Sequence, residues 1–362
     1  MGSAVSDGRV SGGRVVSLDG IRGIAALFVM VYHLPLIFGF AISHAYLAVD
    51  LFFMLSGWVM AYSYAERIRE GMAFRQFALQ RFARLYPLYA VALALGSAFA
   101  LVKYLFGTPT AATLACFVPN SIMLPCMLDD PENFPLNRPA WSIFVEVAIN
   151  LAWYFVVRHG MSTVRWKFAW HLGAVLLCWG AALMAERFLR GYTPADVHEG
   201  LLRGLLGFSA GILLFHYRKQ AWILAYFAAL SLAVLLVFAR KGQSVDLMLH
   251  VVAIMALFPA LLWLLAAIRP RILEGKVSAF LGDISYAVYL LHVPLGLILI
   301  NPLLRLIPGA GLAPTAVRAA LFTAVLIALS SLSYHRLEKP ARRWLVARYG
   351  KPGRPMGAAA TP

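Results

Sequence analysis

Apolar runs of about twenty residues recur from residue 21 almost to the C-terminus, and short, arginine-rich polar stretches separate them. A helix needs about 20 apolar residues to cross the hydrocarbon core of a bilayer. The pattern predicts ten spans, near 21–41, 46–65, 85–106, 142–158, 168–186, 200–216, 221–239, 247–267, 284–304 and 316–335. The fold class is therefore an all-α polytopic integral membrane protein. Residues 1–16 read as a disordered N-terminal tail, 17–340 as one transmembrane domain, and 341–362 as a basic, disordered C-terminal tail. No internal repeat and no soluble domain stand out.

Composition agrees: 61% of the residues are hydrophobic and 13% charged, with a mean hydropathy of +0.75. A soluble domain carries more polar surface than that. The net charge of +16 on a soluble protein would suggest nucleic acid. On a membrane protein it reads as basic loops beside anionic lipid, and no nucleic-acid partner is expected. Most of the 32 Lys and Arg fall on one side if both termini are cytoplasmic, and the even span count agrees. Arg9 and Arg14 before an apolar run imitate a signal peptide, but the run is long and carries Arg22 and His33, so it reads as a retained first span.

The longest outer loop, about 107–141, holds Pro109, Pro119, Pro125 and Pro131 and the acidic stretch Asp129-Asp130-Pro131-Glu132. A lid, an acceptor-binding loop and a plain connector all fit it. The three cysteines have no metal-site spacing, and no metal is expected. Cys116 and Cys126 share the loop and can pair in an oxidising compartment. Cys178 reads as helix packing.

Ionisable groups inside spans are functional suspects. In the first span, Arg22 and His33 lie eleven residues apart. That is about 20° past three full turns, so both share one stripe, roughly 16 Å apart. A cation near one interface is thereby aligned with an imidazole, the natural general base near neutral pH. Asp50, near the outer end of the second span, can orient His33, bind an acceptor or cap its helix. Ser142, Glu146 and Asn150 form a polar stripe on the fourth span. Glu146 needs a partner in hydrocarbon, and His33 is the obvious one; an anchor between helices is the alternative. Arg81 and Arg84, three residues apart at the inner mouth of the third span, suit a phosphate, although flanking arginines are common there. Ser285, Tyr289 and His292 share one face of the ninth span and either line a slot beside the first or simply pack. Arginines inside and His33, Asp50 and Glu146 outside fit a phosphate-bearing donor with its reactive end near an outer base. Coenzyme A has such a head and an arm of suitable length.

At these residues the chain resembles the acyltransferase-3 family of membrane-bound acyltransferases, which modify bacterial polysaccharides, peptidoglycan and nodulation factors. The resemblance covers about 17–340. It rests on Arg22 with His33; Phe52-Phe53 with Ser56-Gly57; Arg81 and Arg84 before Tyr86-Pro87; Trp141-Ser142 with Glu146; Ser285-Tyr286 with Tyr289 and His292; and Glu338-Lys339-Pro340. The resemblance implies transfer of an acetyl or similar acyl group from cytoplasmic acyl-CoA to a sugar hydroxyl on the periplasmic side of the bacterial inner membrane. Arg22, Arg81, Arg84, Tyr286, Tyr289 and His292 would hold the donor. His33 would be the base, with Glu146 and Asp50 assisting, and Trp141, Ser142 and Asn150 would meet the acceptor. Many members carry a second acid after the glutamate, where this chain has Val147. Trp-Ser-x-Phe-x-Glu with a nearby Asn looks closer to the exopolysaccharide O-acetyltransferases. No hydrolase-like domain is recognised, so direct delivery of acetyl from acetyl-CoA to an exopolysaccharide or its lipid-linked repeat is expected. Succinyl transfer, another glycan acceptor, and a secondary transporter are the alternatives, the last disfavoured by the lack of a repeat.

Overall fold

The computed structural model describes residues 15–349 except 109, 129–130, 161–163, 186–190, 243 and 310. Each expected span falls on a long helix. These are α1 (Val16–His33), α2 (Ala48–Ser63), α3 (Phe74–Leu105), α4 (Ala140–Arg158), α5 (Val164–Ala185), α6 (Val197–His216), α7 (Trp222–Arg240), α8 (Val245–Ile268), α9 (Lys276–Leu306) and α10 (Leu312–Tyr349). Among the described residues nine helices are long and apolar enough to cross a membrane; α5, part of whose side chains lie outside the description, is the remaining one. Large apolar side chains such as Leu236, Leu332 and Phe28 stay about half exposed, as a lipid-facing surface requires.

Several helix ends differ from the hydropathy pattern. α3 begins at Phe74 rather than 85, α9 at Lys276 rather than 284, and α10 runs on to Tyr349, past the expected start of the tail. Hydropathy sees only the apolar part of a helix, whereas backbone hydrogen bonds continue through Arg75, Arg81 and Arg84 into the interface. The expected tails at 1–14 and 350–362 lie outside the described residues, as do Asp129, Asp130 and the side chain of Cys178. α1 is shorter than expected. It stops at His33 because Pro35 disfavours helical geometry at Leu34 (φ −125°, ψ 49°). A single turn, Pro35–Phe38, follows and closes on Gly39 at φ +77°. His33 is thus the last residue of its helix. α8 and α10 each contain a π-helical turn, at Ala253–Leu257 and Tyr334–Glu338.

Two close helix pairs build the core. α1 and α9 run parallel, with Gly20 against Ser278 and Gly23 against Leu281. α2 and α6 meet through Gly57 and Gly211, where an added Cβ would lie 1.9 Å from the Phe208 and Met54 carbonyl oxygens respectively. Small residues let membrane helices approach this closely. Gly211→Ala forces the backbones apart and is expected to lower stability by about 1–3 kcal/mol. Thermal unfolding in detergent would show it, and an unchanged midpoint would contradict this packing.

The segment between α3 and α4 is not a surface connector. Thr110 Oγ1 donates to Ala100 O (3.0 Å), Tyr89 Oη to Asn120 O (2.5 Å) and Tyr86 Oη to Ser121 O (2.9 Å). The chain therefore runs back along α3 from Ala100 to Tyr89 and returns to Gly96, where Leu136 O lies, making a re-entrant hairpin. A Cys116–Cys126 disulfide joins its two legs, as the loop position allows. Buried asparagines satisfy its backbone: Asn120 Nδ2 donates to Asn133 O (3.1 Å), and Asn137 Nδ2 to Leu290 O of α9 (3.2 Å). Irregular backbone at membrane depth is tolerated only where protein satisfies it in this way.

Candidate functional site

Arg22 crosses the α1–α9 seam. Its Nε donates to Ser285 Oγ (2.9 Å) and its Nη2 to Gly282 O (2.8 Å), while Asp19 Oδ1 pairs with Nη2 at 2.9 Å. The glycine seam makes this reach possible, because a Cβ at Gly282 would lie 2.4 Å from Asp19 Cβ.

Beside this seam lies a cavity of about 740 Å³, including its mouth, lined by Arg22, Arg81, Arg84, Ser56, Glu146 and Tyr286 among others. Arg81 is buried although it was expected at the helix mouth, because α3 starts two turns earlier. Its Nη2 donates to Glu146 Oε1 at 2.6 Å, and Ser56 Oγ donates to the same oxygen at 3.1 Å. Arg81 Nε is buried with no protein partner, a donor that an entering anion can meet. Arg84 is half-buried, makes no hydrogen bond among the described residues, and faces Glu338 electrostatically. Tyr286 Oη donates to Leu85 O (2.6 Å). Phe52 and Tyr289 close the far end, their rings 5.4 Å apart. Tyr289 Oη and Ser142 Oγ are hydrogen-bonded at 2.7 Å.

One ring beyond Tyr289, 6.1 Å between centroids, stands His292. Its Nε2 is 3.0 Å from His33 Nδ1. The carbonyls nearby settle the protons. His292 Nδ1 faces Val288 O (3.1 Å), an acceptor only, so Nδ1 carries the proton and Nε2 accepts. His33 Nδ1 then faces two acceptors, His292 Nε2 and Val29 O (3.1 Å), and must donate. His33 Nε2 is left as the unprotonated nitrogen, with no hydrogen bond among the described residues.

Two expected partnerships are corrected. Glu146 pairs with Arg81 and Ser56 rather than His33, because it lies too far along α4 to reach the end of α1. Asp50 does not orient His33 either. It is held by Arg203 of α6, with Nε to Oδ1 at 3.2 Å and Nη2 to Oδ2 at 2.6 Å, both residues almost fully buried. Trp141 packs on the same arginine (5.7 Å) and on Phe53, so it is buried rather than open to an acceptor. Asn150 is fully buried, and neither atom of its amide has a protein partner.

The sequence reading passed over several residues of the site. Arg203 lies inside the expected span 200–216, an ionisable residue whose partner one helix alone does not reveal. Ser56 was noted only as motif. On the His33 side, the Tyr32 and Tyr46 rings lie 5.8 Å apart at a tilt of 55°, Tyr46 Oη bonds His250 Nε2, and Arg138 pairs with Glu132. Only the tertiary fold brings these together.

A family model described as an acyltransferase domain matches residues 15–335. The chain belongs to the acyltransferase-3 family. It is a multi-pass membrane O-acyltransferase, and named relatives agree. "Protein 2 in picA locus" of Rhizobium radiobacter is 42% identical over 155 residues, covering 38% of this chain and 79% of that protein. "Acyltransferase MdmB" of Streptomyces mycarofaciens is 26% identical over 77% of this chain and 78% of its own. "Peptidoglycan O-acetyltransferase OatA" of Listeria monocytogenes is 24% identical over 91% of this chain, which spans 56% of that relative. No solved structure matches.

Proposed function

We propose that this acyltransferase moves an acetyl group from acetyl-CoA, entering at the Arg22 side from the cytoplasm, to a sugar hydroxyl on the His33 side. The acceptor is an exopolysaccharide or its lipid-linked repeat unit, and the membrane is the bacterial inner membrane. The observation that carries this reading is the cavity with arginines at one end and the His33–His292 pair just beyond the other. Arg84, the unpartnered Nε of Arg81, and Arg22 offer donors to the phosphates, while Phe52 and Tyr289 flank the path of the acyl arm. His33 Nε2 takes the proton of the sugar hydroxyl as its oxygen attacks the thioester carbonyl. The C–S bond then breaks, and the imidazolium returns the proton to the departing thiolate. His292 holds the reactive tautomer, the part first expected of Glu146. Glu146 instead fixes Arg81.

Arg84 makes no hydrogen bond among the described residues, so Arg84→Ala acts on the ligand and, through lost charge, on Glu338. Acetyl-CoA binding in nanodiscs is expected to weaken by about tenfold or more. Wild-type protein that binds no acetyl-CoA would overturn the donor assignment.

A further inference from the structure

A second cavity opens on the same end of the bundle as Arg22, between α2, α4, α5 and α6. It encloses about 1010 Å³ including its mouth and shares no lining residue with the first. Its polar wall is cationic. Lys167 Nζ donates to His216 Nε2 at 2.5 Å, which leaves two ammonium protons for a ligand. Arg69 acts electrostatically on both residues and is paired with Glu66 at 2.8 Å. Arg218 lies over the Phe215 ring at 4.4 Å, its guanidinium held by the Phe215 carbonyl. Three fixed cations thus face one carboxylate.

The lining is also aromatic. Trp153 is buried at its base, whereas Trp166 and Trp170, at the start of α5, remain 55% and 37% exposed. A soluble phosphate needs the cations but not this apolar wall. A phospholipid uses both: the head against Lys167 and Arg218, the upper acyl chain along the tryptophans. Tryptophans at helix ends and basic pockets between helices are the places where anionic headgroups settle. We infer that this cavity binds one anionic phospholipid of the bilayer, recognised through its phosphate by Lys167 and Arg218. The inference does not depend on the acyl-transfer reading.

Native mass spectrometry of the full chain in neutral detergent tests it, with phosphatidylglycerol, phosphatidylcholine, inorganic phosphate and coenzyme A as probes. One phosphatidylglycerol per chain is expected to be retained and not displaced by millimolar phosphate or coenzyme A. Lys167→Gln is expected to weaken it about fivefold, and Lys167→Ala with Arg218→Ala about thirtyfold. Lys167→Arg should keep it, which separates charge from folding, and a matching lipid-free unfolding midpoint guards the Gln variant. Equal retention of the two lipids, retention in the folded Gln and double variants, or displacement by phosphate or coenzyme A would each overturn the proposal.

Discussion

His33→Ala lowers acyl transfer by about 10²–10⁴-fold, the usual contribution of a positioned base, while acetyl-CoA binding is retained. The reason lies in the hydrogen-bond chain. Val288 O fixes His292, His292 and Val29 O fix His33, and one nitrogen remains for the reaction. His292→Ala removes a link of that chain without removing the base, so it falls between wild type and His33→Ala. Labelled acetyl-CoA with a lipid-linked glycan extract from the producing cells measures both steps. Full transfer by His33→Ala would end the mechanism, and full transfer by His292→Ala would remove its role as the orienting group.

Asp50→Ala is the other large effect, and it is one of stability. Removal of one partner from a buried ion pair strands a charge and costs about 3–5 kcal/mol. Arg203, with Trp141 beside it, loses in that variant the carboxylate that takes its Nε and Nη2. The double change Asp50→Leu with Arg203→Met removes both charges and recovers most of the loss, since apolar replacements of buried pairs are often neutral or better. Unfolding midpoints of Asp50→Leu, Arg203→Met and the double form a closed cycle. If Asp50→Ala unfolds at the wild-type midpoint, the pair is not a structural tie.

What the sequence showed and what it hid follow one physical line. The alignment of Arg22 with His33 depends on the geometry of one helix, and a periodicity of 3.6 suffices to find it. The stripe of Ser285, Tyr289 and His292 was visible for the same reason. Pairings between helices were not, because they depend on register. Gly20, Gly23 and Gly282 set how α1 lies on α9, and only then does His292 meet His33. Glu146 was drawn toward His33 because both are polar groups in hydrocarbon. Its real partner, Arg81, was placed too near the water, since hydropathy could not see that α3 begins at Phe74.

The re-entrant hairpin imposes an order in time. Its two legs are joined by cysteines ten residues apart, so both thiols are present as soon as the segment has been made. Asn137, however, waits for the carbonyl of Leu290, which lies 153 residues later. At about 5–20 residues per second, that carbonyl emerges roughly 8–30 s afterwards. Until then the hairpin rests on its bonds to α3 and lacks this anchor. The helix that finally receives it is also the one that carries His292. The His33–His292 pair and this anchor of the hairpin are therefore completed by the arrival of the same helix, and an immature chain holds His33 without the neighbour that takes its Nδ1 proton.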